Sequence, residues 1–320
     1  MTIHVISNIN GQENEGMRNI ATHYSREWEK ECTVLYSRLK DIPGLVKKTL
    51  SSDVTVVFAR AGKALYYLIR VLCLLCKNVW LVCVQEPDRS YKALCERKAP
   101  GNHYFALIPE DLSGVKIKNG CKAVFLRVGI NKDKFVPVSA DEVYKIKQEY
   151  GFSPDKKLVV HVGHCSSGRG LEQFTKLSEN DFEKLVVVSG MFEDKQTKDM
   201  LLKSNVRILS GYLQNVEKIY QMADVYLFPT KSIEYVISIP LSVMEALACG
   251  TPVAACSDLP GLKHIHAVDS AVRILSDEAD MNSEMHMLSS LKSDKGLLSE
   301  PISWSICSAE ALTAIRENLK

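Results

Sequence analysis

The sequence has no apolar run long enough to cross a bilayer. Its most apolar stretch, 64–76, is interrupted by Arg70 and is shorter than the roughly 20 residues that a transmembrane helix needs. The first residues, MTIHVISNIN, lack the basic and apolar segments of a secretory signal peptide and are typical of a strand. We therefore expect a buried core helix at 64–76 and a cytoplasmic protein.

The sequence also lacks an excess of charge of either sign. It has 40 Lys and Arg against 38 Asp and Glu, a formal net charge of +2, and no block of like charges. Such a balance does not indicate a nucleic-acid partner, and no DNA-binding motif supports one.

The ten cysteines show no metal-binding pattern. Cys73 and Cys76 form a C-x-x-C inside the apolar run, but no second pair completes a zinc site. We expect free, buried thiols and no bound metal.

What the chain does contain is a regular alternation of short β-branched runs with longer helical patterns. Its 320 residues are enough for two domains, and this alternation is typical of parallel sheets covered by helices on both faces. The predicted strands are 3–7, 32–37, 54–59, 79–84, 158–163, 184–190, 206–211, 224–230 and 251–256. The predicted helices are 16–28, 64–76, 171–177, 194–203, 215–222 and 243–248.

A polar, proline-containing segment at 128–143 predicts the linker between two α/β domains. We place the hinge near Pro137, which gives a first domain of residues 1–137 and a second of 138–302. The last segment, 303–320, is an amphipathic helix capped by Ser303 or Ser305, and its pattern alone fits packing on either domain.

The segment HVGHCSSGRGLEQF (161–174) leaves a predicted strand and enters a helix. Ligands of parallel sheets bind beyond the carboxyl ends of strands, so this turn is a candidate site. Glycines 163, 168 and 170, a helix N-terminus and the Arg169 guanidinium together suit a phosphate or diphosphate, and His164 adds a donor. A flexible turn with a solvated arginine is the alternative.

The segment ISIPLSVMEALACGTPVAA (237–255) is the second candidate. Pro240 suits the first position of a helix, which leaves the N–H groups of Leu241, Ser242 and Val243 to face an anion. Glu245 lies about one turn further on, where a carboxylate accepts hydrogen bonds from a ribose diol. An acid that interacts only with the helix dipole is the alternative.

The first domain offers weaker candidates. Glu86, with Gln85 and Arg89, follows a strand and suits an acceptor-orienting group or a weak general base; a solvated loop carboxylate is the alternative. Gly11, Gly16 and Arg18 follow the first strand and suit contact with a donor sugar or phosphate. His4 and His161 lie within strands and are interpreted as core histidines with satisfied hydrogen bonds.

Five segments together resemble the retaining glycosyltransferases of family four, which have the GT-B fold. They are VGINKDKFVP, VGHCSSGRGLE, VRILSGYLQNVEKIYQMADVYLFPT, PLSVMEALACGTPVAA and SWSICSAEALTAI. The resemblance covers most of 128–262 and the C-terminal tail. It implies two Rossmann-like domains with parallel sheets that face each other across a cleft. It also implies an acceptor-side first domain, onto which helix 303–320 packs back, and a second domain that binds the nucleotide-sugar donor.

The resemblance also implies roles for individual residues. Arg169 stands where the family usually has a lysine that contacts the donor diphosphate, and His164 stands in place of an arginine. Glu245 matches the glutamate that holds the donor ribose, and Gly211 and Tyr212 match the loop over which the base lies. The expected catalytic residues are therefore Arg169, Glu245 and Glu86. The expected donor-binding residues are Gly16, Gly163, His164, Gly170, Gly211, Tyr212, Leu241 and Ser242.

One departure concerns the first glutamate of the family's pair. Ile237 occupies that position, and Glu234 lies three residues too early to replace it. This departure and His164 together leave the donor identity open, and loss of activity is the less favoured interpretation because Arg169, Glu245 and the glycines remain.

The expected activity is metal-independent transfer of a sugar from a nucleotide diphosphate to a glycan or lipid-linked glycan, with no cofactor. Lys47, Lys48, Arg97 and Lys98 suggest peripheral contact with an anionic membrane surface. A non-catalytic nucleotide-sugar-binding subunit is the alternative that Ile237 suggests. A dinucleotide-dependent oxidoreductase is a weaker one, because no G-x-G-x-x-G follows the first strand.

Overall fold

The computed structural model describes residues 1–9, 15–115, 121–298 and 302–319. It divides into two compact units. The first comprises Met1–Gly129, Ile237–Ile239 and Ile302–Lys320, and the second comprises Ile130–Val236 and Pro240–Pro301. The described residues form one six-stranded sheet in each unit.

The first unit is built on a parallel sheet in the order β2-β1-β3-β4-β5-β6. Its strands are β1 (Thr2–Ile6), β2 (Thr33–Ser37), β3 (Val54–Phe58), β4 (Val79–Cys83), β5 (His103–Ala106) and β6 (Lys122–Phe125). Its helices are α1 (Gly16–Trp28), α2 (Ile42–Leu50), α3 (Lys63–Leu75), α4 (Arg89–Cys95) and the C-terminal α11 (Trp304–Glu317). Strands β3 and β4 are buried along their whole length, as expected for central strands covered on both faces.

Helix α11 belongs to the first unit through its contacts with α1. The Trp28 indole N–H donates to the Ser308 carbonyl at 3.2 Å, and Trp304 stacks on His23 with ring centroids 4.5 Å apart. A Cβ on Gly129 would lie 2.7 Å from the Trp304 Cα, so only glycine allows this approach. The chain therefore returns to its first unit at its end, where the resemblance placed this helix.

The second unit is built on a parallel sheet in the order β12-β11-β10-β7-β8-β9. Its strands are β7 (Lys157–Cys165), β8 (Phe182–Glu193), β9 (Arg207–Ser210), β10 (Val225–Phe228), β11 (Val253–Ala255) and β12 (Val272–Ile274). Its helices are α5 (Ala140–Glu149), α6 (Lys195–Lys203), α7 (Glu217–Met222), α8 (Leu241–Ala248), α9 (Pro260–Val268) and α10 (Met281–Ser289).

The boundary between the units differs from the predicted hinge at Pro137. The first segment of the first unit ends at Gly129, and the predicted linker, 128–143, includes the start of α5. Ser139 caps that helix by accepting the Glu142 N–H at 3.3 Å, and Asp141 and Glu142 lie in its first turn. Polar residues that suggested a linker are thus the N-terminal signals of a helix.

Within the described residues, none of the helices combines the length and apolarity that a bilayer crossing needs.

Candidate functional site

The first strand exit is a tight turn between β7 and a 3₁₀ helix at Leu171–Lys176. Gly170 has φ +70°, and a Cβ there would lie 2.3 Å from the Pro229 carbonyl oxygen. A side chain at Gly168 would overlap the Tyr235 ring at 2.1 Å. The predicted glycines are therefore fixed by close contact and backbone conformation, and the turn lies directly against the end of β10.

Arg169 lies inside this turn and is largely shielded from water. Its N–H donates to the Ser166 carbonyl at 3.0 Å, and its own carbonyl accepts from the Thr230 hydroxyl at 3.4 Å. The side-chain Nε is buried and has no hydrogen-bond partner among the described residues. Burial lowers the pKa of the guanidinium, yet arginine keeps its charge in proteins. A buried cation with an unused donor is suited to bind an anion.

The second strand exit leads into α8. The structure places Pro240 one position earlier than predicted, as the N-cap, and the helix begins at Leu241. The Val243 N–H was expected to be free but donates to the Pro240 carbonyl at 3.1 Å. The N–H groups of Leu241 and Ser242 make no backbone hydrogen bond within the described ranges, so two of the three predicted anion donors remain.

Tyr226 joins the two strand exits. Its hydroxyl donates to the Val162 carbonyl at 3.2 Å, next to Gly163 in the first exit, and the side chain of Ser242 in the second exit lies close enough to lower the pKa of the phenol. Burial raises the pKa of Tyr226, and Arg169 and Glu245 both act on it electrostatically. The predicted diphosphate groups therefore converge on one buried phenol in the second unit.

Glu245 is half-buried on α8 and is held by Tyr220. The Tyr220 hydroxyl donates to Glu245 Oε2 at 2.9 Å, and the fully buried Tyr220 ring packs edge-on against Tyr226 at 5.7 Å. Burial and the adjacent Glu245 carboxylate raise the pKa of Tyr220 well above its usual value, so the phenol stays protonated and donates. The carboxylate is oriented rather than free to rotate in solvent.

His161 lies under this site and departs from its predicted role. Its Nδ1 is 3.1 Å from the Leu227 carbonyl, but its buried Nε2 has no partner among the described residues. Burial, with Arg169 nearby, lowers the pKa of His161 to about 3, so the ring is neutral. A Cβ on Gly163 would lie 2.7 Å from Nε2, which shows how closely the turn covers the ring. The other core histidine, His4, is satisfied as predicted by Thr49 and Ser37.

Three further predicted residues lie at the ends of β7 and β9. His164 is half-buried beside the register shift between Gly163 and Cys165. Gly211 has φ +111° with nothing within 4 Å of a Cβ, and the following Tyr212 is half exposed. The Gly211 turn therefore leaves open space of the kind that a nucleotide base needs.

The predicted residues of the first unit are engaged with neighbours there. Glu86 accepts a hydrogen bond from Lys92, an ion pair that the sequence did not predict. That contact suits a fixed anion better than a general base, because the ammonium occupies one of its proton-accepting oxygens. The Arg18 Nε donates to the Asn8 carbonyl at 2.9 Å, and Gly11 lies outside the described residues.

Ile237 packs inside the first unit. It is buried, and a Cβ on Gly16 would lie 2.8 Å from its Cδ1, so the residue in place of the family's glutamate closes over the start of α1. The next residue, Ser238, donates its N–H to the Val84 carbonyl at 2.7 Å and its hydroxyl to Asp111. Glu234 is exposed and lies in the second unit.

Sequence reasoning missed Tyr220 and Tyr226. Tyr226 lies in the otherwise apolar strand β10, and a buried tyrosine needs a partner for its hydroxyl. A tyrosine in an apolar strand was therefore a signal of a buried hydrogen bond. Its partner could not be predicted, because the residues are distant in sequence and only the sheet brings them together.

Part of the chain is similar to a known protein family. Residues 158–289 match the family model described as glycosyl transferases group 1, which confirms the stated resemblance over that segment.

Two curated relatives align with less than half of the chain. The alpha-galactosylglucosyldiacylglycerol synthase of Streptococcus pneumoniae is 22% identical over 143 residues, which are 41% of this chain and 37% of that protein. An uncharacterized glycosyltransferase of Methanocaldococcus jannaschii is 29% identical over 150 residues, which are 43% of this chain and 36% of that protein. The aligned part therefore spans little more than a third of each relative.

The solved structure of Anabaena HepE in complex with UDP-glucose is similar along nearly the whole chain. It covers 98% of this chain and 100% of its own, with a TM-score of 0.76 and 10% identity. At that identity the similarity shows the fold alone, and it confirms the predicted α/β fold class with two parallel sheets.

Proposed function

We propose that the protein is a glycosyltransferase that moves a sugar from a nucleotide-diphosphate sugar to an acceptor hydroxyl, with retention of configuration and without a metal ion. The observation that carries the proposal is the convergence on Tyr226. The Arg169 turn and the α8 N-terminus meet at this phenol, next to the oriented Glu245 carboxylate. The match of residues 158–289 to glycosyl transferases group 1 supports the same reaction class.

The chemical task of this site is to stabilise the leaving diphosphate. Cleavage of a sugar–phosphate bond leaves negative charge on that group, and preorganised donors in a water-poor site lower the barrier most effectively. The Arg169 guanidinium, with its unused Nε, supplies a fixed positive charge. The N–H groups of Leu241 and Ser242 supply aligned dipoles at the start of an eight-residue helix.

Glu245 is proposed to hold the ribose of the nucleotide. An ionised carboxylate accepts hydrogen bonds from both hydroxyls of a diol. Tyr220 occupies one carboxylate oxygen at 2.9 Å and so fixes the direction in which the rest of the group points. Gly211 and Tyr212 are proposed to support the base, and Gly163, His164 and Gly170 to line the diphosphate.

Retention and metal independence rest on the family resemblance. The acceptor hydroxyl then attacks from the face that the diphosphate leaves, and Arg169 takes the role that a metal ion plays in other transferases. In a transfer assay, full activity after treatment with a chelator is the expected result. Activity that disappears with the chelator and returns with a divalent ion would contradict metal independence.

The acceptor is proposed to be a glycan or a lipid-linked glycan in cell-surface assembly at the cytoplasmic face of a membrane. The synthase from Streptococcus pneumoniae is a glycolipid synthase by name, which favours a lipid-linked acceptor. Glu86, paired with Lys92, is proposed to orient that acceptor as a fixed anion.

The direct test is thermal-shift screening against the diphosphates of uridine, guanosine and the other nucleosides. A ligand at a hundred times its Kd stabilises the native state by about 2.7 kcal/mol, which is readily measured. We expect Arg169→Ala and Glu245→Gln to reduce the shift strongly. Arg273→Ala is a matched control, because Arg273 lies away from this site. Its Nε pairs with Glu284 Oε2 at a distance of 2.5 Å.

An unchanged shift in both site variants would contradict the placement of the site. A non-catalytic binding subunit is not favoured by the comparisons; nucleotide binding without turnover across a donor and acceptor panel would support it instead.

A further inference from the structure

Helix α3 presents apolar side chains to solvent along one face. Tyr67, Val71 and Leu74 are 49%, 49% and 86% exposed, and their spacing of four and three residues places them in one row. The opposite face of α3 is buried in the core of the first unit, so the exposed apolar row is additional to the apolar face that the core requires. A contiguous exposed apolar row indicates an interaction surface.

Helix α2 packs against α3 and also exposes apolar side chains. Ile42 and Leu50 are 55% and 61% exposed. With the α3 row they form what we call the α2–α3 surface, defined by Ile42, Leu50, Tyr67, Val71 and Leu74. These five include more than half of the exposed large apolar side chains described in the first unit.

Basic side chains accompany this apolar surface. Lys47, Lys63, Arg70 and Lys77 are exposed on or beside the two helices, and α3 contains no acidic residue. Among the residues that the structure describes, none of these four cations forms an ion pair with a carboxylate. Their charge is therefore available to an external partner.

We propose that the α2–α3 surface docks on an anionic lipid bilayer. Apolar side chains that enter the headgroup boundary, flanked by cations that meet anionic lipid, are the two components of interfacial binding. Helix α3 has 13 residues, about 20 Å of helix, which suits a helix lying in the plane of the interface. A protein partner of ordinary composition would explain the apolar row but not four unpaired cations around it.

This inference deepens the proposed function, since it names the surface through which a lipid-linked acceptor would be met. It is tested without any substrate, so its failure leaves the nucleotide site untouched.

The experiment is flotation of the full chain with vesicles of phosphatidylcholine alone or mixed with phosphatidylglycerol. We expect binding to the anionic vesicles at low salt, weaker binding at high salt, and little binding to phosphatidylcholine. Combined Tyr67→Ser, Val71→Ser and Leu74→Ser should weaken binding to anionic vesicles at least about tenfold, because each substitution removes an apolar side chain that would enter the lipid interface. Arg70→Glu with Lys77→Glu should remove the salt-sensitive part.

The matched control changes exposed apolar residues of the second unit: Tyr144→Ser, Leu202→Ser and Leu291→Ser, which are 50%, 52% and 45% exposed. We expect this control to float as the unchanged protein does, and both triple variants to keep the same nucleotide-induced thermal shift. Equal loss of flotation in the two triples would overturn the proposal, as would no flotation of the unchanged protein. Self-association that only the α3 triple abolishes, without vesicle binding, would assign the surface to a second copy instead.

Discussion

Removing the Tyr220 hydroxyl tests whether Glu245 works as an oriented carboxylate. Tyr220→Phe deletes one hydrogen bond of 2.9 Å to an ionised group and keeps the buried ring. Hydrogen bonds to charged groups contribute about 1.5–3 kcal/mol, so we expect a loss of about 2 kcal/mol in unfolding free energy. Nucleotide affinity should fall about fivefold to tenfold, because the carboxylate must then be ordered on binding.

The assay is isothermal titration with the nucleoside diphosphate that binds best and with its 2′-deoxy form. The unchanged protein should prefer the ribose form, and Tyr220→Phe should reduce that preference, as should Glu245→Gln. Tyr24→Phe is the control, since the buried Tyr24 hydroxyl donates to the Arg127 carbonyl at 2.8 Å in the first unit. If Tyr220→Phe loses stability yet keeps full discrimination between the two sugars, Tyr220 is structural only and the reasoning fails.

Three further perturbations follow from the structure. Gly170→Ala should destabilise by more than the roughly 1–2 kcal/mol of a left-handed alanine, since its Cβ meets the Pro229 carbonyl at 2.3 Å. Gly151→Ala has the same φ, and its Cβ would make only an ordinary contact of 3.6 Å with Arg207, so it should lose only that amount. Burial raises the pKa of Asp111 from 3.8 to about 6, so the folded state binds the proton more tightly. Stability should therefore fall by about 2 kcal/mol as pH rises from 4 to 6, and denaturant titrations of Asp111→Asn should lack that slope. Burial lowers the pKa of His161 from 6.5 to about 3, so stability should fall as pH falls through that window. His161→Phe should remove this loss, and an unchanged acid profile would contradict it.

Much of the second unit could be predicted because its signals are local. The glycine turn at 163–170, the start of α8 near Pro240 and the strand runs around them are all visible in short windows of sequence. The same holds for helix α1 of the first unit, which was predicted at 16–28 and is observed at Gly16–Trp28. Glycine requirements, N-caps and buried β-branched runs are properties of a few adjacent residues, so they survive without tertiary information.

Three short strands were missed. β5, β6 and β12 have four, four and three residues, and β6 is a half-exposed edge strand with Lys122 and Phe125. Such segments lack a long apolar run and are defined by pairing with a neighbour. Helices α2, α4, α5, α9 and α10 were missed for a related reason, since prolines and charges in their first turns resemble loops.

Long-range contacts set the rest of the site. The sheet brings together the residues that make the Tyr220–Glu245 hydrogen bond and the hydrogen bond of Tyr226 to the Val162 carbonyl. It also determines the surroundings in which the Nε2 of His161 has no hydrogen-bond partner among the described residues. The same holds for the ion pair of Glu86 with Lys92, which altered the chemistry expected of that carboxylate.

The most direct test of the central claim is a crystal structure with a bound nucleoside diphosphate. We expect the diphosphate to lie against the Arg169 guanidinium and the N–H groups of Leu241 and Ser242, with a ribose hydroxyl within hydrogen-bonding distance of Glu245. A nucleotide bound elsewhere, with Arg169 and the α8 N-terminus facing only water, would contradict it.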